Sequence, residues 1–434
     1  MQAFTRAQPL STQQARRDVL FTLALAIAAG VAGYLVVRDP LAAGTLALAP
    51  TAVWLFVKRR IACVLLGAAI PFAQDVTGGR LGVNLAVSDI LMMLIFISVV
   101  ADALLTRRFA AARALGPLRL PVLQYIVLML LLLIYHLGFG TLFQTGQRLE
   151  LFLIPMVIGA VMAIEGHWQW VLRAYVVAST LLAAAWPFIV SGDQGLGIQK
   201  NPAGQFIANA IILLIAVQPI RRLLPFCMPV LVIGLLWTQS RGAIVSVGVG
   251  LIVLLLMQAA HNRRRLYLQL VPLSMLTLAA FRFLPESAQQ RNTTFSVAAG
   301  TDAGRALKYR ADYRADAWEL IHQHPVVGVG VGQYRAGSDA LLTTTTDPHQ
   351  VLLLQAAEGG YLLAGLFVAL IVGTVAVLAR CARRTALGPA AAAVTLAIAA
   401  HGLVDIYWVR ATPVLGWLLV GMALAQARTS EGKS

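Results

Sequence analysis

Isolated cations stand at the edges of apolar segments in this 434-residue sequence, at Arg80, Arg148, Lys200, Arg241 and Arg410. A guanidinium group forms paired hydrogen bonds with phosphate oxygens, so a phosphate-bearing ligand is the chemistry to expect. Local ion pairs are the alternative, because Glu150 is close to Arg148 in sequence and Asp405 is close to Arg410. Convergence of these cations on one face of the protein would favour the anionic ligand.

Arg241 and Lys200 each stand where an apolar helix is expected to begin. Arg241 is followed by Gly242-Ala243, small residues that allow another helix to approach closely. Lys200 precedes Asn201-Pro202, and proline suits the first turn of a helix. Because the start of a helix offers free backbone N–H groups to an anion, both positions are candidates for anion binding.

His349 opens the longest apolar segment of the C-terminal half, in the run Asp347-Pro348-His349-Gln350. The N-terminus of a helix disfavours a protonated imidazole, and a neutral imidazole is what a general base requires. A histidine bound to a loop carbonyl is the structural alternative. Glu358 follows about 13 Å further along the predicted helix and is expected to be a separate group.

A hydrophilic stretch at about 284–348 contains its own helix signal. Tyrosine and arginine recur at four-residue spacing, as Tyr309 with Tyr313 and Arg310 with Arg314, which predicts a helix near 305–323. This helix could lie at a membrane surface or cover a substrate. The alternating glycines at 328, 330 and 332, which follow His324, permit a tight chain path.

The sequence carries no motif for a metal or a nucleotide. The cysteines at 63, 227 and 381 are far apart, and neither an HExxH motif nor a P-loop is present. We therefore predict no metal, no cofactor and no structural disulfide.

The composition is that of a membrane protein. Hydrophobic residues make up 59% of the chain and charged residues 12%, about half the share of a soluble domain. This excludes a soluble enzyme, a disordered chain and a disulfide scaffold. Candidate spans of about 20 apolar residues lie near 18–37, 41–57, 61–74, 84–105, 119–139, 149–164, 168–190, 202–219, 223–239, 241–259, 266–283, 349–379, 388–405 and 411–427.

The net charge of +16 is a topology signal rather than a nucleic-acid signal. If the N-terminus is cytoplasmic, most of the arginines and lysines fall in loops on the cytoplasmic side. Both termini are then cytoplasmic, and the 284–348 loop faces outward. We predict an all-α polytopic integral membrane protein with about 12–14 transmembrane helices. It has an N-terminal bundle (1–283), an outer loop with an amphipathic helix (284–348) and C-terminal helices (349–434).

Three short motifs, in this order and membrane placement, resemble the O-antigen ligase and polymerase superfamily of bacterial inner-membrane proteins. The first is Ser240-Arg241-Gly242-Ala243. The second is Trp318 followed by His324-Pro325 and the alternating glycines. The third is His349 followed by three leucines and Glu358-Gly359-Gly360, with Gln350 where asparagine is common.

The resemblance implies a metal-independent glycosyltransferase that acts at the periplasmic face of a Gram-negative inner membrane. The donor would be a glycan on undecaprenyl pyrophosphate, and the acceptor a sugar hydroxyl of lipid A–core, as in lipopolysaccharide biosynthesis. His349 would be the catalytic base. Arg241, Arg148, Lys200 and Arg80 would bind the pyrophosphate, and Arg314, His324 and Asp347 would support the site.

Within the superfamily, a ligase is favoured because the outer loop is modest and no soluble domain follows the last span. An O-antigen polymerase and a protein O-oligosaccharyltransferase share the motifs and are the alternatives. A transporter of lipid-linked glycans without catalysis is the alternative from another class. Membrane lipids, the donor and the acceptor are the expected partners, and nucleic acid is not.

Overall fold

The computed structural model describes residues 54–73, 86–106, 110–191, 194–257, 260–282, 284, 289, 302–335, 347–405, 407–408 and 411–431. The predicted span near 18–37 lies outside these residues, as do Arg80 and Arg410. The chain forms two compact units, residues 1–62 and 63–434, and every contact described below lies within the second unit.

The described part of the chain is almost entirely helical. Its α-helices are α1 (Arg59–Ala69), α2 (Val87–Thr106), α3 (Ala110–Ala114), α4 (Arg119–Tyr135), α5 (Phe139–Ile164), α6 (Trp168–Ile189), α7 (Lys200–Ala216), α8 (Leu224–Thr238), α9 (Arg241–Met257), α10 (Ala260–Arg282), α11 (Asp302–Gln323), α12 (Val351–Cys381), α13 (Leu387–Gly402) and α14 (Val414–Glu431). Short 3-10 helices cover Ile70–Phe72, Gly116–Leu118 and Gln218–Leu223.

Three two-residue strands form a small antiparallel sheet between α6 and α7. They are β1 (Val190–Ser191), β2 (Gln194–Gly195) and β3 (Ile198–Gln199), with β2 in the centre. Val190 pairs with Gly195, and Gln194 pairs with Gln199. The sheet ends where α7 begins, so it fixes the position of Lys200 at the first turn of that helix.

Six helices in the described residues are long and apolar enough to cross a membrane. They are Val87–Thr106, Gly116–Tyr135, Phe139–Ile164, Trp168–Ile189, Gln218–Thr238 and Val351–Cys381. Arg241–Met257, Leu270–Arg282 and Leu387–Gly402 are shorter apolar helices. The prediction of an all-α polytopic membrane protein is confirmed.

The sequence predicted a span at 149–164, but helix α5 begins earlier, at Phe139. The polar residues that precede the predicted span are inside the helix and have partners elsewhere in the fold. Thr141 accepts a hydrogen bond from Gln333, and Arg148 pairs with Glu358. The chain turns earlier instead, at the extended Gly138.

Glycines allow a close helix contact between α5 and α14. A Cβ atom at Gly159 would lie 2.0 Å from the Leu418 carbonyl oxygen, and one at Gly421 would lie 2.0 Å from the Met156 carbonyl oxygen. Small residues at such contacts let helix backbones approach and pack without a hydrophobic drive from water. This contact fixes α5, which carries Arg148, against the C-terminal helices.

Candidate functional site

The N-terminus of α12 holds His349 in a constrained backbone. The Gln350 side chain caps the helix by accepting a hydrogen bond from the Leu353 N–H at 2.5 Å. His349 has a φ of +53°, in the left-handed region, and its N–H donates to Asp347 Oδ1 at 2.6 Å. A histidine in this region is uncommon, so the neighbouring contacts must hold it there.

The His349 imidazole is oriented by residues from two other elements. Nδ1 lies 3.0 Å from Asp405 Oδ1, just after α13, and Asp405 Oδ2 lies 3.7 Å from an Arg310 nitrogen on α11. The Tyr313 ring stacks on the imidazole, with centroids 6.3 Å apart. The His349 side chain is 23% exposed, while that of Asp405 is 7% exposed. The cluster therefore places a partly accessible imidazole over a buried carboxylate.

The charge state of Asp405 suits a carboxylate that orients the His349 imidazole. Burial by itself raises the pKa of Asp405, but the hydrogen bond from His349 and the charges of His401 and Arg310 outweigh it and leave the pKa below its usual value. An ionised carboxylate at Nδ1 favours the tautomer in which Nδ1 carries the proton and Nε2 the lone pair. Nε2 is then the atom able to accept a proton from a substrate.

A second charged cluster lies further along α12. Glu358 forms an ion pair with Arg148 of α5, and the exposed fraction of each side chain is below 7%. Glu358 Oε1 also accepts the Gly332 N–H at 2.9 Å. The Glu358 carboxylate thus connects the chain after α11 to α12, and Arg148 of α5 neutralises its charge. Arg148 therefore pairs with Glu358 and not with Glu150, its neighbour in sequence.

Helix α12 is broken at Gly359 and Gly360, and the glycine-rich chain after α11 fills the break. Gly360 has φ +69° and ψ −178°, which is glycine-only backbone. The residues of α12 just before the break bind the glycine-rich chain. The Ala357 carbonyl accepts the Val329 N–H and the Glu358 carbonyl accepts the Gly330 N–H, each at 2.9 Å. The Tyr361 N–H donates to the Pro325 carbonyl at 2.9 Å. The alternating glycines therefore form a packed segment against α12.

Asp347 connects the two clusters. It is 5% exposed, and burial raises its pKa to about 7. The charge of His349 and the hydrogen bond from its N–H oppose that rise, while the charges of Glu358 and Asp405 add to it. Asp347 is therefore within electrostatic reach of both ion pairs while it holds the His349 backbone.

Arg241 and Lys200 lie at helix starts that pack beside this region. Helix α8 ends at Thr238, the following Gln239 has left-handed backbone, and Ser240 Oγ accepts the Ala243 N–H at 3.4 Å. A Cβ atom on Gly242 would lie 2.7 Å from His401, one turn before Asp405. One on Gly204, in the first turns of α7, would lie 2.8 Å from the Ser240 Cβ. The fold thus brings three helix ends together.

The remaining predicted residues are less clearly placed in the site. Arg314 is half-buried on α11, and His324 is exposed after the same helix. Sequence reasoning missed Asp405, Arg310 and Tyr313 as partners of His349, and no spacing rule links residues 56 positions apart. Within the described residues, no group of three or more His, Cys, Asp or Glu side chains could hold a metal ion.

One family model matches the chain. It is described as O-antigen ligase and covers residues 226–368, about a third of the sequence. The matched region runs from α8 into α12 and contains Arg241, α11 and His349, whereas Arg148 and Asp405 lie outside it. A search of curated proteins found no match.

Proposed function

We propose that this chain, whose residues 226–368 match the family model described as O-antigen ligase, is an O-antigen ligase. It transfers a glycan from undecaprenyl pyrophosphate to a sugar hydroxyl of lipid A–core at the periplasmic face of the inner membrane. The observation that carries this proposal is the contact between His349 Nδ1 and Asp405 Oδ1 at 3.0 Å, at the start of α12 and beside α11.

His349 acts as the general base. Nε2 removes the proton from the acceptor hydroxyl as the oxygen attacks the anomeric carbon of the donor glycan. The bond between that carbon and the pyrophosphate oxygen breaks, and undecaprenyl pyrophosphate leaves with the electron pair. Asp405 stabilises the imidazolium that forms, as a carboxylate does in other histidine-based sites.

The donor pyrophosphate is held by cations at the helix starts. Arg241 provides a planar fork for phosphate oxygens, and Lys200 adds a point charge at the start of α7. Both stabilise the negative charge that develops on the leaving group, so the step needs no metal ion. Arg80 is a further candidate for binding the pyrophosphate, and Arg314 and His324 are candidates for a supporting role.

Arg148 supports the site from a greater depth. Its partner Glu358 holds the glycine-rich chain in place through Gly332, so the loss of either side chain leaves a buried charge uncompensated. Asp347 also supports the site, because it fixes the backbone of His349.

The test is a transfer assay with purified protein, a glycan on undecaprenyl pyrophosphate, lipid A–core and EDTA. We expect transfer by the wild-type protein and a loss of about 10²–10⁴-fold in His349→Ala, the usual contribution of a general base. His322→Ala is the matched control, because His322 is exposed on α11 and bonds only to its own helix at Trp318.

Each other outcome assigns a different function. Elongation of the glycan on its own lipid carrier would make the protein a polymerase, and transfer to a protein would make it an O-oligosaccharyltransferase. Normal transfer by His349→Ala would remove His349 from the mechanism. Glycan-lipid movement across the membrane without transfer would replace the enzyme with a transporter.

A further inference from the structure

A basic cavity lies at the end of α12 that is remote from His349. It has a volume of about 300 Å³, which is the lower end of the range for ligand pockets. The C-terminal ends of α12 and α14 form it together with the turn at Pro117. Because the regular part of α12 after Gly360 alone has a length of about 31 Å, this cavity is separate from the candidate active site.

Three arginines line the cavity, and their side chains are exposed. They are Arg380, Arg384 and Arg428, and no described lining residue is acidic. Arg428 donates a hydrogen bond to the Arg113 carbonyl, which holds its guanidinium in place. Cations at helix C-termini are favourable by themselves, but here they surround a single concave space. An anion with several oxygen atoms can contact more than one of these guanidinium groups at the same time.

The walls of the same cavity are apolar. Val377 is partly exposed and contributes aliphatic surface, and the buried Leu424 packs behind the lining. A free phosphate ion gains nothing from such walls, whereas a phosphate attached to a glycerol and acyl chains fits both surfaces. Basic pockets between transmembrane helices on the cytoplasmic side bind lipid headgroups in this way.

We infer that this cavity binds the headgroup phosphate of an anionic phospholipid, with Arg380, Arg384 and Arg428 around the phosphate and the acyl chains against the apolar wall. The lipid is a structural ligand of the helix ends and is no substrate. This inference is independent of the proposed function, because it involves neither His349 nor the glycan donor.

The experiment measures lipid binding by delipidated protein in detergent. Short-chain phosphatidylglycerol is titrated while the thermal unfolding midpoint Tm is recorded, and phosphatidylcholine and inorganic phosphate serve as comparison ligands. We expect phosphatidylglycerol alone to raise Tm. Arg380→Ala and Arg428→Ala should each weaken the apparent affinity about tenfold, the effect of losing one charge-assisted contact.

Two further variants make the result decisive. Arg383→Ala removes an exposed arginine that does not line the cavity, and its affinity should stay within about twofold of wild type. Val377→Phe fills the cavity but keeps every arginine, so it should also weaken binding. An equal loss in Arg383→Ala would mean general surface charge, and an equal Tm rise with inorganic phosphate would mean a free-anion site. Either result overturns the inference.

Discussion

At the residue scale, the chemistry of His349 depends on a carboxylate that is distant in sequence. Asp405 is buried and ionised, and it contacts both the imidazole and Arg310. The Tyr313 ring limits the motion of the imidazole from one side. A general base gains from such fixed orientation, because the proton acceptor must face the substrate hydroxyl without further reorganisation.

Replacement of the carboxylate by an amide tests this orientation. Asp405→Asn should lower the transfer rate by about 10²-fold, because the amide cannot stabilise the imidazolium. The double variant with His349→Ala should be no slower than His349→Ala alone, since groups that act as a unit are not additive. Glu319→Gln is the control, because Glu319 is exposed on α11. A fully active Asp405→Asn protein would contradict the pairing.

Asp347 gives the stability of the protein a specific pH dependence. Its pKa is raised to about 7 in the folded chain from an ordinary value of 3.8, mainly by burial. The folded state therefore binds a proton that the unfolded state releases near pH 4. The stability from this proton is complete below pH 4 and is lost as the pH rises towards 7.

The Asp347→Asn variant isolates that contribution. Wild type should lose roughly 1 kcal/mol of unfolding free energy per pH unit relative to the variant between pH 5 and 7, and the two should run in parallel above pH 8. Thermal unfolding of the detergent-purified protein over this pH range measures the difference. Parallel curves throughout would show that Asp347 is ionised in the folded state at all these values.

At the element scale, the broken helix α12 contributes to both the candidate active site and the basic cavity. Its first turns carry the Gln350 cap, its break accepts the chain after α11, and its last turn lines the basic cavity. The break requires Gly360, where a Cβ atom would lie 2.1 Å from the Val326 carbonyl oxygen. Gly328 is equally constrained, with a φ of +61° and a Cβ position 2.2 Å from the Glu358 carbonyl carbon.

Two alanine substitutions in α12 compare the break with the regular helix. Gly360→Ala should destabilise the protein by at least about 1–3 kcal/mol from backbone strain alone and should reduce transfer, because the chain after α11 is displaced. Gly365→Ala should be neutral or stabilising by up to about 1 kcal/mol, since nothing lies within 4 Å of its Cβ position. Equal unfolding temperatures for the two variants would refute the requirement for glycine at 360.

At the scale of the whole molecule, the candidate active site and the basic cavity lie at different ends of α12. One end carries His349, Asp405 and the helix starts of α7 and α9. The other carries Arg380, Arg384 and Arg428. Because positive loops are retained in the cytoplasm, the arginine end is expected to be cytoplasmic and the histidine end periplasmic. The proposed reaction requires this orientation, since lipid A–core receives its glycan outside the cytoplasm.

Cysteine labelling in cells tests the orientation. His322→Cys should react with a membrane-impermeant maleimide that reaches only the periplasm, and Arg383→Cys should react only after the inner membrane is opened. Both positions are exposed, and the native cysteines 63, 227 and 381 are buried, which limits background labelling. The reverse pattern would place the candidate active site in the cytoplasm and exclude a periplasmic ligase.

Local and compositional features were determined by the sequence alone. The apolar runs require a membrane-embedded helical bundle, because only helices and closed barrels satisfy their backbone groups in lipid. The tyrosine and arginine spacing near 305–323 marks a helix that is present as Asp302–Gln323. The run around His349 marks the start of α12. Each of these features depends on residues within a few turns of one another.

The partners in the site were decided by the tertiary structure. Asp405 faces His349 rather than a sequence neighbour because α13 packs against α12, and Glu358 of α12 pairs with Arg148 of α5, which is distant from it in sequence. The start of α5 was misplaced for the same reason, since the polar residues before 149 find their partners only in the folded bundle. A charge buried in the bundle is stable only beside its partner, and helix packing determines which side chain that partner is.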